Sequence, residues 1–479
     1  MLVAEAAAEE AQLYNQGPLL DRAVVVVPDT TITYDTFSAG DIVRLRAQPW
    51  AYELKPAVAS EYDLLTTGGA KLDLTDRSQW GAWGAPADAA IEHNPNGANI
   101  YLGYVVTGTD CAATLQKAIN RAIADNVGAL ELPPGAWLVD ADIDLTGPEN
   151  TNFAGQMFGL HGAGISHPSW IQYGLGRRQR SVLLLKAGRK IIKGRPGQSI
   201  RDLTIIGKVE SGVLLDLVEA STTGGGLDHV AVVNNIPSAP VGSPVAVRVT
   251  GLWMGGLDHV EIMGRRDYRA AWDDNSITGD NLFFGTGLFV DVRTQGGSTG
   301  GPEKATAAGC AIGLRIAAPE QQIWYSLDST TFQDWQSQYC QVGALIERGA
   351  SVVTFDSPHF EYCADADLIV RNGAGHVSVR NGKSALTLRG SEYRKYGSMV
   401  CGSPVSGENK FKSLHVEGFT FETLENGKCA VRYYGGATEA PGLLILEDCC
   451  FAGGGIAVLV DTTLGSICDI WIKGSKPHP

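Results

Sequence analysis

Residues 226 to 232 read GLDHVAV and residues 256 to 262 read GLDHVEI, nearly the same seven letters thirty positions apart. Two readings compete: a pair of catalytic His-Asp units, or one structural unit laid down twice. The surrounding sequence favours the second. VLLDLVEASTTGGGLDHVAVV (213 to 233) aligns with VAVRVTGLWMGGLDHVEIM (245 to 263). Further on, AIGLRIAAPEQQIWYSLDSTTF (311 to 332), ALIERGASVVTF (344 to 355) and DLIVRNGAGHVSVRN (367 to 381) align with one another, and Tyr339-Cys340 recurs as Tyr362-Cys363. Each unit is a strand, a turn, a second strand and a connection of variable length. Periods of about 20 to 30 residues with two or three strands per unit mark a β-solenoid, whose units bury their apolar faces only by stacking on neighbours. A catalytic dyad has no reason to recur at a structural period. The Asp-His pairs are therefore expected at the start of the second strand, bonding the turn or the neighbouring unit.

Composition agrees with many short strands joined by tight turns. The 479 residues are 44% hydrophobic and 19% charged, with 59 Gly, the residue that takes positive φ without steric cost. A net charge of −14 argues against a nucleic-acid partner, because phosphate is contacted chiefly by Lys and Arg. Nine cysteines cannot all pair within one chain and none forms a CxxC, so reduced, buried thiols and a reducing cytoplasm are expected. The first residues, MLVAEAAAEEAQLYN, place acids where a secretory signal carries positive charge, and no apolar run reaches the roughly 20 residues of a membrane span. No membrane insertion is expected.

The chain divides by pattern into an N-terminal stem and small β region (1 to 75), a connection (76 to 108), a solenoid with its leading helix (109 to 472) and a tail (473 to 479). In the leading helix, Asp110 is placed to cap, and Leu115, Ile119, Ala122 and Ile123 fall on one face. Residues 264 to 310 read as an insertion off one rung.

The stretch TDCAATLQKAINRAIADNVGALELPPGAWLV (109 to 139), followed by FGLHGAGI (158 to 165) and SVLLLKAG (181 to 188), resembles the pectate-lyase-like superfamily of right-handed parallel β-helices, where a capping helix precedes a Pro-Pro-Gly turn and a Gly-rich strand. SEYDLLTTGGAKLDL (60 to 74) is similar to the segment before that helix in bacteriophage tailspikes. One departure is Asp110-Cys111, where the family often has two acids. The resemblance implies an all-β, right-handed parallel β-helix in a homotrimeric tailspike or receptor-binding protein. It implies a virion tail location after assembly in the host cytoplasm, with the N-terminus on a phage tail or baseplate protein. The implied substrate is a bacterial surface polysaccharide, capsule or lipopolysaccharide, which the protein binds and hydrolyses. A non-enzymatic receptor-binding protein and a polysaccharide lyase remain as alternatives.

Stacked rungs bring equivalent residues within about 4.8 Å, so acids just past equivalent strands become neighbours. Aligning the strand ends puts Val232, Ile262, Phe332 and Phe355 in one column, with Asp334 and Asp356 just beyond and Glu361 following. Two carboxyls at roughly 5 Å, or roughly 6.5 to 9.5 Å, are what glycoside hydrolysis needs, which makes Asp334, Asp356 and Glu361 the catalytic candidates. Asp after a strand is also a common turn former. Trp335, Tyr362, Tyr339 and Trp324 offer faces for sugar stacking if they are not core residues. His359 can position a sugar, act as acid or base, or simply pack. Arg265 and Arg266 either pair with an acidic sugar or form a solvated turn, and Asp273 and Asp274 add acids on the insertion. No metal motif and no cofactor is expected.

Overall fold

The computed structural model describes residues 112–124, 129–132, 135–145, 158–165, 181–193, 198–217, 226–234, 236, 242–249, 256–264, 285–292, 301–318, 327–385, 396–403, 410–424, 428–434, 442–453, 455–461 and 469–478. Five further strands are described by their backbone alone. Val24–Val27 pairs parallel with Ile42–Leu45, which pairs antiparallel with Ala51–Glu53, and Thr31–Ile32 pairs antiparallel with Leu72–Asp73. The expected stem (1 to 15), the connection (76 to 108) and the cap Asp110 lie outside the described residues. The chain forms two compact units, residues 1–208 with 229–231, and residues 209–228 with 232–479.

In the first unit the helix Ala112–Ala124 buries the face expected from its spacing, Leu115, Ile119, Ala122 and Ile123. Gln116 extends this contact through its carboxamide. It accepts from the backbone N–H of Asp144 at 2.8 Å and donates to the Asp144 carbonyl at 2.7 Å. A side chain thus satisfies strand groups that a further strand would otherwise pair. Gly135–Val139 pairs parallel with Ser181–Leu185, which pairs parallel with Ser199–Gly207.

In the second unit a parallel coil winds with three strands to a turn. Val342–Ile346, Val352–Asp356 and His359–Glu361 make one rung, and each pairs parallel with its counterpart in the next, Ala366–Val370, Ala374–Arg380 and Lys383–Ala385. The pattern continues rung by rung to Lys476–His478. Inward positions stack into columns. Phe332, Phe355, Val379, Val416 and Leu446 are all fully buried, and the Phe332 and Phe355 rings stack at 5.1 Å. A second column sets Cys310, Cys340 and Cys363 together in the core. The described cysteines are free thiols, as expected, and only Cys450 is not buried.

The second and third strands of each rung are joined by a bend rather than a loop. The turn from the second to the third strand of each rung is made by one residue with positive φ: His259 (51°), Lys304 (52°), Asp334 (52°), Ser357 (56°), Asn381 (55°), Gly418 (60°), Asp448 (51°) and Gly474 (66°). From His259 to Asp448 the amide of each donates to the next rung, as Asp334 does to the Asp356 carbonyl at 2.9 Å and Ser357 to that of Arg380 at 2.8 Å. Asn, Asp and His are the side chains that tolerate this region, after Gly. The His of GLDHV is therefore a bend residue; His229 in the first copy has the same φ of 51°.

This corrects the expected alignment. Phe332 and Phe355 do share a column, but Ile262 stacks with Ala307, Ser337 and Phe360, one strand later in the rung. The run LDHVEIM bends at His259 without a Gly or Pro to mark it, so its end belongs to the third strand. Asp356 likewise lies opposite Gln333, and Asp334 opposite Ser357.

Replacing His259 with Val is expected to lower stability in urea unfolding by about 1 to 2 kcal/mol, the cost of a left-handed backbone at a β-branched residue, whereas His259→Gly is expected to stay within about 1 kcal/mol of the parent. Equal losses in both variants would mean that the imidazole, not the backbone, holds the bend.

Candidate functional site

Each bend sets two outward side chains on either side of it, one just before the left-handed residue and one two positions after it. Down the second unit the first column reads Asp258, Glu303, Gln333, Asp356, Arg380, Glu417, Glu447, Lys473. The second reads Glu261, Thr306, Gln336, His359, Lys383, Thr420, Cys450, Lys476. Two residues further along the third strand, Gln338, Glu361 and Ala385 form another outward column. One face of the coil therefore carries a line of acids, interrupted at the rung of Gln333 and Gln336 and at that of Arg380 and Lys383, and ended by Lys473.

Several of the expected residues converge on the rung 352–361. Asp356 is half-buried before the bend and accepts from Asn381 Nδ2 at 3.4 Å. His359 and Glu361 point outward from the same short strand, with buried Phe360 between them. Asp334 sits in the bend of the preceding rung, so its backbone conformation already explains its identity.

Trp335 is not a sugar platform. Its side chain is fully buried, packs edge-on to Phe332 at 6.1 Å and donates from Nε1 to Ser337 Oγ at 2.8 Å. It follows the left-handed bend residue and points into the coil, a direction that its sequence neighbours do not reveal. Tyr362 is half-buried and stacked on Tyr339 at 4.7 Å, both at a second left-handed bend (φ 56° and 53°). Arg265, Arg266, Asp273, Asp274 and Trp324 lie outside the described residues.

The structure adds three residues that the sequence reading passed over. Glu422 follows Phe421, which pairs with Ser384. Its charge acts on His359 together with that of Glu361, favouring the imidazolium, while burial and then Lys383 hold the imidazole below its usual pKa. Burial is the larger cause, so His359 is a neutral ring at neutral pH. Lys383 lies directly beside His359 on the next rung. Glu261 occupies the His359 column three strands earlier, and burial pushes its carboxyl up to about 7. It is the one letter by which GLDHVEI departs from GLDHVAV in polarity, since Ala231 stands there in the first copy. Reading the left-handed residue as the register mark would have found all three, because Asp258, His259 and Glu261 then align with Asp356, Ser357 and His359.

The strands of Glu361 and Glu422 are separated by the strand of Ala385, hence by roughly 10 Å of two strand spacings. Side chains of this length can narrow that gap to the separation at which one carboxyl protonates a leaving oxygen and the other activates water. Among the described residues no three His, Cys, Asp or Glu side chains form a metal-ligand group.

No family model and no curated protein matches the sequence. Solved structures do resemble the fold. A double mutant of the tailspike protein of E. coli bacteriophage HK620 aligns over 86% of this chain and 69% of its own, at 12% identity and a TM-score of 0.50. A second double mutant of that tailspike, in complex with a pentasaccharide, aligns with the same coverage, identity and score. A mannuronan C-5 epimerase module of Azotobacter vinelandii aligns over 77% of this chain and 96% of its own, at 16% identity and a TM-score of 0.44. At these identities the likeness to the tailspike is one of fold, the parallel β-helix.

Glu261 supplies a test of the electrostatics. A carboxyl whose pKa is raised by folding stabilises the native state fully below its unfolded value near 4.5, and the contribution is lost as pH rises through about 7. Glu261→Gln is expected to flatten the fall in melting temperature between those pH values, and an unchanged pH profile would remove Glu261 from the buried face.

Proposed function

We propose that this chain is a phage tailspike protein, a right-handed β-helix that binds and hydrolyses a bacterial surface polysaccharide, capsule or lipopolysaccharide. The observation that carries the reading is the gathering of Asp356, His359, Glu361 and Glu422 on one outward face of a rigid coil. A stack of hydrogen-bonded rungs holds such groups in place without loops, which is what a preorganised site requires. The shared fold of a tailspike solved with a bound pentasaccharide supports the choice of ligand class.

In this proposal Glu361 and Glu422 are the acid and base, one giving its proton to the glycosidic oxygen and the other activating water. Asp356, across the bend, orients sugar hydroxyls. His359, neutral at working pH, donates or accepts a hydrogen bond to the same ring. The helix 112–124 caps the first strands of its own unit, the N-terminal residues attach to the phage tail or baseplate, and three chains assemble into the working particle.

A second reading has its own observation. β-Elimination on a uronate needs a base near C5 and a cation on the carboxylate, and a neutral imidazole beside Lys383 offers both.

Incubation with a panel of purified capsular and O-antigen polysaccharides separates the readings. Hydrolysis releases new reducing ends without the ultraviolet absorbance of an unsaturated uronate; the absorbance indicates a lyase, and retention without fragments a binding protein. Glu361→Gln and Glu422→Gln are each expected to slow cleavage by about 10² or more while the glycan still binds, with Asp334→Asn near wild type. Cleavage that survives both glutamine variants would displace the site. Native mass spectrometry at micromolar concentration is expected to give a trimer.

A further inference from the structure

Three strands of the first unit carry a second group of reactive side chains, none of which the proposed function uses. Ala129–Glu131 pairs parallel with Gly159–His161, which pairs parallel with the start of Ser199–Gly207. Leu160 and Ile200 are fully buried, so the residues on either side of each point outward. The outward face therefore reads Ala129, Gly159, Ser199 in one column and Glu131, His161, Arg201 in the next. His161 is the centre of the group. Its Nδ1 meets Glu131 Oε1 at 3.2 Å, on the strand to one side. Its ring folds back over Gly159, where a Cβ would collide with Nε2 and would lie 2.9 Å from Ser199 Oγ, on the strand to the other side. Nε2 and the Ser199 hydroxyl thus border the same spot, and neither makes a hydrogen bond among the described residues. Closing one between them takes side-chain rotation, not backbone movement; unliganded catalytic sites often leave that bond open. His161 and Ser199 are both half-buried, so a ligand can reach them.

We propose that Ser199, His161 and Glu131 form an ester-hydrolysing site. The order of carboxylate, Nδ1, Nε2 and hydroxyl is that of a nucleophilic triad, in which the acid holds the proton on Nδ1 and leaves Nε2 as the base. A His-Glu surface pair by itself requires neither a glycine under the ring nor a hydroxyl beside it. Ser199 Oγ attacks the acyl carbon while its proton passes to His161 Nε2; the bond from that carbon to the alcohol oxygen breaks, and the alcohol leaves with the proton. Water then attacks the acyl-serine, its proton passing by way of Nε2 to Oγ, and the carboxylic acid leaves. Arg201, the exposed register partner of His161, supplies positive charge for the oxygen that becomes negative in both steps. The one apolar side chain on the outward face of these strands is Ala129, so the acyl group that fits is short, of acetyl size. The natural ester follows from the proposed function and rests on it: an O-acetyl group of the bound polysaccharide. The ester chemistry stands without it.

The test uses the full chain with p-nitrophenyl acetate, and with a fluorophosphonate probe that labels activated serines. Peptide mass spectrometry is expected to find the label on Ser199 and to lose it in His161→Gln. Ser199→Ala and His161→Gln should each lower kcat/KM for p-nitrophenyl acetate by about 10²-fold or more, and Glu131→Gln by about tenfold or more. The melting temperature of Ser199→Ala should be unchanged. Labelling of the unaltered protein needs no variant, so a His161 variant that fails to fold leaves the test intact. No label on Ser199, or ester turnover that survives Ser199→Ala, would each overturn the proposal. Acetate release from an O-acetylated capsular polysaccharide, lost in Ser199→Ala while chain cleavage is retained, is the result expected for the natural substrate. Turnover of p-nitrophenyl acetate by a protein that acts on no polysaccharide would keep the ester site and remove the glycan reading.

Discussion

One residue in each rung must turn the chain with φ near +50° while its amide still reaches the carbonyl of the rung beyond. Everything else in the coil follows from that requirement. The bend keeps the hydrogen-bond ladder continuous through it, so the column just before the bend holds its register from Asp258 to Lys473. It also rotates the strand by a fixed amount, which sends the next residue, Trp335 or Pro358, into the core. Gly, Asn, Asp, Ser and His fill most of these positions because larger or branched residues pay steric energy in the left-handed region.

The core and the working face are two consequences of one register. Inside, repetition stacks like on like: Phe332 on Phe355, Phe421 on Phe451 with an interplanar angle of 1°, and thiol on thiol from Cys310 to Cys363. Outside, repetition would stack like charges at about 5 Å, where they repel. The chain limits this by setting Thr and Gln among the acids and by pairing cations with acids across rungs, as at Arg380 and Glu417, while Asp258 still stacks on Glu303 and Glu417 on Glu447. The rung of His359 and Lys383 breaks that rule, and such exceptions in an otherwise consistent pattern are where function is expected.

The solenoid, its period and the helix face of Leu115 and Ile119 were legible in the sequence because apolar periodicity is a local property. Asp356, His359 and Glu361 were legible as a group since they fall within six residues. Trp335 was misjudged because burial after a left-handed bend depends on φ at Asp334, which an Asp in a turn leaves open. Glu422 and Lys383 were missed because connections of unequal length separate the rungs, so their closeness to His359 shows only once the left-handed residues Ser357, Asn381 and Gly418 set the register.

GLDHVAV and GLDHVEI mark the same division. By itself the sequence determined that one structural unit is written repeatedly, since only stacking rewards such repetition. It also determined that the chain builds an acidic, β-rich coil. The tertiary structure decided that His259 is the bend and Asp258 its outward neighbour. It also decided that Glu261, the letter in which the copies differ in polarity, shares a column with His359 and Lys383. The physical reason is that a side chain's face is set by the backbone angle of the residue before it and by which rung lies alongside, and both are properties of the folded coil.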